Sequence, residues 1–284
     1  MRFPKLIRLE RKATRFRDAI LIKPIAKSRL VQRHAHDDYD FAIKVLDDHK
    51  IAFDPSDHSI GREIRKTGTW QRDDFRLVIS QLHRAGKNTG DKIFLDVGAN
   101  IGTQTVYALV QNDFARAICF EPVPANLAVL DMNVALNNLS ERVTIFRKAA
   151  GSKSETKTLN LERALSGNHS FHSEFNSREA KIDVEVTTVD LELSKLKIQP
   201  QDVGLFWLDV EGFEPEAISG ASGLIEAGVP LCVEFNARLY GEEQKANLLE
   251  KISRYYSFVW SVKDGPRSLG SVPSGSLTGD LLFY

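Results

Sequence analysis

From residue 93 onward, short apolar runs alternate with segments whose apolar residues recur at helical spacing. The runs at 93–96, 117–121 and 143–147 read as buried strands, and 103–111 and 125–136 between them read as helices. This βαβαβ order predicts one half of a doubly wound sheet. Around 156–161 and 183–189 the period drops to two about a polar stretch rich in Ser, Asn and His, which predicts a β-hairpin-like insertion in place of a helical crossover. Alternation then resumes, with a strand at 204–209, a helix at 215–227, a strand at 231–234 and a helix at 242–255. Strands at 258–262 and 281–283 lie close together in sequence, as a terminal antiparallel pair would. The expected fold is α/β, a doubly wound, mostly parallel seven-stranded sheet.

The pattern ahead of this domain is weaker. Phe75, Val78, Ile79 and Leu82 share one face of a helix over 73–85, and 51–54 followed by 59–66 predicts a short strand and a helix ending near Gly68. Residues 1–88 are therefore expected to form an N-terminal extension, basic and mainly helical, before an α/β domain over 89–284.

Composition narrows the class. In 284 residues, 42% hydrophobic content is enough for a packed core, and a formal net charge of zero gives no overall field demanding nucleic acid. The charge is uneven: residues 1–34 hold eleven Lys or Arg against Glu10 and Asp18. That segment reads as a solvated helical face, or alternatively as a peripheral contact with anionic membrane. Cys119 and Cys232 each fall inside an expected core strand, which favours buried thiols over a disulfide framework. No apolar run nears membrane-spanning length, and residues 19–22 are too short for a signal-peptide core, so the expected location is cytoplasmic.

Candidate chemistry collects at the strand ends. Phe94-Leu-Asp-Val-Gly-Ala-Asn-Ile-Gly102 is a strand closing on Asp96 and a turn spaced by Gly98, Asn100 and Gly102, where the absence of Cβ permits positive φ and close approach of a ligand. A dinucleotide fingerprint would place a third glycine at 105, and none is there, which argues against a nicotinamide cofactor. Glu121 ends the next strand 19 residues beyond Gly102, close to the spacing of an acid that accepts ribose hydroxyls. With Pro122 and Pro124 following, a helix-start acid is the plainer alternative. Asp209 and Glu234 end two later strands. Acids at four strand ends are poor packing choices and point to a cationic, hydroxyl-rich ligand.

Taken together, Phe94 to Gly102, Phe120-Glu-Pro122, Lys148-Ala-Ala-Gly151, Val189-Asp190 and Trp207-Leu-Asp-Val-Glu-Gly-Phe-Glu214 resemble the FkbM-type methyltransferases, in order, from about residue 60 to 240. The resemblance implies a class I, Rossmann-like enzyme that uses S-adenosyl-L-methionine to methylate a hydroxyl of a sugar, glycan or secondary metabolite. Carried over by position, Asp96, Gly98, Asn100 and Gly102 would form the loop under the methionine part of the cofactor. Glu121 would hold the ribose, and Asn126 and Ala149 would border the adenosine. Asp209, Glu211 and Glu214 occupy the D-V-E-G-x-E positions.

Methyl transfer to an alcohol needs alignment and a base. In strand geometry Asp209 and Glu211 would share a face, so the pair is expected to supply the base or meet the cofactor's ammonium, unless Glu211 only caps the helix beginning near Phe213. His169, with His172 in the same polar insertion, is a further candidate base, though exposed loop histidines are common. Glu214, Glu234 and Asn236 are expected to bind acceptor hydroxyls directly. A divalent cation held by Asp209, Glu234 and Asn236 is the alternative, and no metal is the expectation adopted. The expected partner is a small-molecule or glycan acceptor. Nucleic-acid methylation is disfavoured, because Asp209-Val-Glu-Gly replaces the Pro-Pro-aromatic pattern of base N-methylases and an acidic edge repels phosphate. A non-catalytic cofactor-binding protein is the remaining alternative.

Overall fold

The computed structural model describes residues 29–36, 39–161, 169–171, 180–235, 237–261, 265–268 and 279–284, and the burial of side chains from residue 41 onward. The basic segment before Arg29, His172 and Asn236 lie outside the described residues.

Strands β1 (Arg29–His36), β2 (Tyr39–Val45) and β3 (Lys50–Phe53) form an antiparallel sheet, followed by helices α1 (Ile60–Thr67) and α2 (Arg72–Arg84). The expected strand and both helices of the extension are present, but β1 and β2 make the described part less helical than the pattern predicted. Periodicity missed β2 because its buried positions are Ala42 and Lys44. The Lys44 ammonium donates to the carbonyls of Ile64 (3.2 Å) and Arg65 (2.9 Å) near the end of α1, so a lysine occupies a core-facing strand position. Burial lowers its pKa.

The main sheet runs through β4 (Ile93–Val97), β5 (Arg116–Phe120), β6 (Val143–Phe146), β10 (Val203–Leu208), β11 (Leu231–Phe235), β12 (Phe258–Ser261), β13 (Gly265–Ser268) and β14 (Gly279–Phe283), in the order β13-β12-β14-β11-β10-β4-β5-β6. The pairs from β11 to β6 are parallel, whereas β14 inserts antiparallel between β11 and β12. The seven expected strands are all present, and β13 adds an eighth at the edge. Alternation along each strand sends side chains to opposite layers. Leu95, Ile118, Phe206 and Val233 pack in one core, and Phe94, Cys119, Trp207 and Cys232 in the other. Phe75 of α2 lies edge-on to Phe94 and near Trp207, with ring centroids 5.6 Å apart in each case, so the extension shares the second core.

Connecting helices are α3 (Thr103–Val110), α4 (Pro124–Leu136), α5 (Val189–Lys195), α6 (Glu214–Ser219), α7 (Ser222–Glu226) and α8 (Ala237–Ser253). The single helix expected over 215–227 is broken. Asp190 meets the break: its N–H donates to the Gly220 carbonyl (3.0 Å) and its Oδ2 accepts from the Ser222 hydroxyl and Gly223 N–H (3.1 Å each), capping α7. The strand expected to reach residue 189 ends at Thr187, because the Thr188 hydroxyl accepts from Leu191 N–H and starts α5. The insertion appears as predicted: β8 (Glu155–Asn160) pairs antiparallel with β9 (Lys181–Thr187), and β7 (Ala149–Ala150) joins them.

Candidate active site

The turn after β4 carries the site. Gly98, Asn100 and Gly102 all have positive φ (85°, 51° and 79°), so the chain doubles back in five residues. The amides of Gly98 and Ala99 both donate to the Phe120 carbonyl (3.0 Å), which hooks the turn over the end of β5. A Cβ on Gly98 would stand 1.7 Å from the Asp209 carbonyl oxygen, and one on Gly102 would stand 2.3 Å from Leu130 Cδ1. Gly98 is required by the carbonyl packed against it, and Gly102 by its left-handed backbone.

Glu121 is 4% exposed and braced on both oxygens. Its Oε2 accepts from Asn100 N–H (2.9 Å), and its Oε1 accepts from Val123 N–H (2.8 Å) and, more distantly, from the Asn126 amide (3.4 Å). Burial raises its pKa to about 7 against these hydrogen bonds, with the Asp96 charge adding to the rise. A carboxylate oxygen offers two lone pairs, so Oε2, which takes a single donor, keeps capacity for a ligand hydroxyl.

A cleft partly continuous with solvent opens beside these groups. Gly98, Asn100, Glu121, Asn126, Ala149, His169, Asp209 and Glu211 line it, which brings eight sequence candidates together. Asp96 and Gly102 do not line it. Asp96, 1% exposed, turns behind the loop and accepts from the Thr105 hydroxyl at 2.5 Å, fixing the first turn of α3; burial raises its pKa to about 7. The apolar wall was not predicted. Phe171 from the insertion packs on Phe213 with ring centroids 4.5 Å apart, and the Lys157 ammonium stands 4.6 Å from the Phe213 ring centre. Phe213 stood within a quoted motif, whereas Phe171 lies in a stretch with no periodicity to mark it.

Strand β10 ends at Leu208, so Asp209 and Glu211 do not share a strand face as expected. They lie in a turn where Glu211 (φ 50°) and Gly212 (φ 96°) are left-handed. The turn still gathers them: oxygens of Asp209, Glu211 and Glu234 lie within 4.8 Å of one another. Such a trio suits hydroxyl or ammonium donors, or a divalent cation. The Ser170 hydroxyl donates to the Glu211 carbonyl (2.8 Å), tying the insertion to this turn. Glu214, not Glu211, anchors the turn to α6. Its Oε1 accepts from the N–H groups of Val210 and Gly212 (3.2 Å each), while its Oε2 is buried without a hydrogen-bond partner among the described residues.

Burial, reinforced by mutual repulsion, governs this cluster. Burial first, and then Glu234, Glu211 and Glu214, push the Asp209 pKa well up. Glu211 is raised to about 8 by burial, Glu234 and Glu214, and Glu214 to about 7 by burial and Glu234. Asp209 Oδ1 is buried and has no hydrogen-bond partner among the described residues. A buried carboxylate of this kind requires a donor to be stable as an anion.

The model of the family described as "Methyltransferase FkbM domain" matches residues 96–260. Methyltransferase 1 of Beauveria bassiana (strain ARSEF 2860) is 25% identical over 160 residues, covering 51% of this chain and 64% of that protein. Among solved structures, methyltransferase FkbM from Methylobacillus flagellatus KT is similar at 18% identity, with a TM-score of 0.44, covering 69% of this chain and 44% of that one. The O-methyltransferase from Bacillus cereus in complex with SAH has 12% identity and a TM-score of 0.39, covering 74% and 80%. The chain thus spans less than two thirds of the length of the B. bassiana and M. flagellatus proteins.

Proposed function

Since the chain belongs to the FkbM methyltransferase family, with S-adenosyl-L-methionine as its cofactor, we propose that it methylates a hydroxyl oxygen of a sugar, glycan or related polyhydroxylated metabolite. The chemistry of the cleft lining supports this cofactor. Glu121 keeps acceptor capacity for ribose hydroxyls, Ala149, Phe171 and Phe213 offer apolar surface to a purine, and Asp209 Oδ1 awaits a donor such as an ammonium or hydroxyl. When bound, the cofactor supplies an electrophilic methyl group on a sulfonium.

The observation that carries the acceptor class is the trio of Asp209, Glu211 and Glu234 gathered beside the cleft. Three carboxylates present acceptors for several hydroxyls, as a sugar would offer. Their raised pKa values, for Asp209 and Glu211, make each a stronger base than an ordinary carboxylate, suited to taking the proton that an alcohol loses as its oxygen attacks. His169 lines the same cleft and is the second candidate for that proton. Positioning by these groups and exclusion of water by the aromatic wall supply the remainder of the catalysis.

Two free, buried cysteines support a reducing, cytoplasmic setting. Among the described residues, no helix is long and apolar enough to cross a membrane. The test is incubation with cofactor labelled in its methyl group and fractionated glycans, glycolipids and small metabolites, with and without a chelator. The expected product is an alkali-stable methyl ether, formed by wild type in the presence of chelator and lost in Asp209→Asn. A labelled nucleic acid, or an unchanged rate in that variant, would overturn the reading.

A further inference from the structure

Strand β3 is an edge of its sheet, so its outward N–H and C=O groups need partners from elsewhere. Helix α4 and its C-terminal cap provide them with two asparagines. Asn137 Oδ1 accepts from Lys50 N–H (2.8 Å) and its amide donates to Lys50 C=O (2.7 Å). One turn earlier, Asn133 Oδ1 accepts from Ala52 N–H (2.5 Å) and its amide donates to Ala52 C=O (3.0 Å). Four residues of helix rise about 6 Å and two residues of strand about 6.8 Å, so the two amides match alternate residues of β3 as a further strand would.

The two asparagines differ in the second acceptor of the amide. Asn137 donates also to the Asn133 carbonyl of its own helix (2.8 Å), whereas Asn133 donates also to the carbonyl of Ile101 at 2.8 Å, the residue between Asn100 and Gly102 in the turn that meets Glu121. Its side chain is completely buried. Both amide protons and the oxygen are thereby used, and a carboxylate or an aliphatic side chain of the same size supplies neither proton.

We infer that Asn133 is a positioning residue for the cofactor turn, through which the N-terminal extension sets the affinity of the distant Glu121 side of the cleft. The inference rests on the cofactor reading above. Asn133 fixes the Ile101 carbonyl relative to β3, Ile101 fixes Asn100, and the Asn100 N–H is thereby aimed at Glu121 Oε2. Because coupling between sites is reciprocal, a ligand that holds the turn also holds β3.

The test uses the full chain and S-adenosylhomocysteine as probe. Calorimetry compares wild type, Asn133→Ala, Asn137→Ala and Val134→Ala; the last is buried in the second core and touches neither the turn nor β3 by a side-chain hydrogen bond. All three variants are expected to melt earlier, but only Asn133→Ala should bind at least about tenfold more weakly, the others staying within about twofold. Equal affinity in Asn133→Ala, or equal weakening in all three, would overturn the inference. Hydrogen exchange on wild type provides a measurement that needs no variant to fold. Bound S-adenosylhomocysteine should slow exchange at Ala52 together with Asn100 and Gly102, and protection of the turn without Ala52 would refute the coupling. Absence of binding to wild type would instead remove the cofactor reading itself.

Discussion

Replacing Glu214 by Gln should make the ligand-free protein more stable at alkaline pH while leaving it nearly unchanged in acid. Glu214 is 1% exposed, and its Oε1 holds the amides of Val210 and Gly212, contacts that a Gln carbonyl can keep. Its Oε2 lacks a hydrogen-bond partner among the described residues, and the carboxyl titrates at about 7 instead of 4.5. A raised folded pKa means that the protonated form is favoured by folding. The stabilisation is therefore complete below the unfolded pKa and lost as pH rises through the folded one. A shift of this size corresponds to about 3 kcal/mol by pH 8, of which roughly 2.5 kcal/mol is lost between pH 5 and 8. For a chain of this length that is about 4 °C in melting temperature. Urea unfolding and thermal melting of the apo protein at pH 5 and pH 8 measure it. Wild type should fall more steeply than Glu214→Gln over this range by about that amount. Equal slopes would refute the account of the acidic cluster as a strained, ligand-awaiting arrangement.

Other perturbations follow from single contacts. Gly98→Ala places a methyl group against the Asp209 carbonyl at a backbone conformation alanine disfavours, and should weaken S-adenosylhomocysteine binding more than about tenfold and lower the melting temperature, checked by calorimetry and circular dichroism. Phe171→Ala removes the ring packed on Phe213 at the cleft wall. It should raise KM for the cofactor by about three- to tenfold and cost about 1 kcal/mol of stability, with kcat little altered; an unchanged KM would show that the insertion does not face the cofactor.

How far the sequence carried depends on whether the signal was local. The β4–turn–α3 unit was legible, because Gly98 and Gly102 are demanded by the backbone itself. Glu121 and Asp209, each one residue past its strand, were legible because acids stand out against apolar runs. The roles within that set were less accessible. Asp96 looked like a ligand contact, but the fold turns it onto Thr105, a partner nine residues away that periodicity does not reveal. Glu214 looked like an acceptor contact, yet two backbone amides of the preceding turn occupy one of its oxygens. Asp190, quoted only as part of a motif, proves to meet a helix break and cap the helix that follows through residues 220–223. The strand β2 was missed because Lys44 reverses the usual meaning of a charged residue. Asn133 and Asn137 gave no sign either, since pairing with β3 depends on contacts 81 and 87 residues apart.

The most direct measurement is calorimetric titration of S-adenosylhomocysteine into wild type and Glu121→Ala. Removing this carboxylate releases the Asn100 and Val123 amides and the proposed ribose acceptor together. Wild type is expected to bind at a single site, and the variant to lose at least about tenfold in affinity with a cooperative melt retained. No binding to wild type, or equal affinity in both proteins, would contradict the cofactor reading.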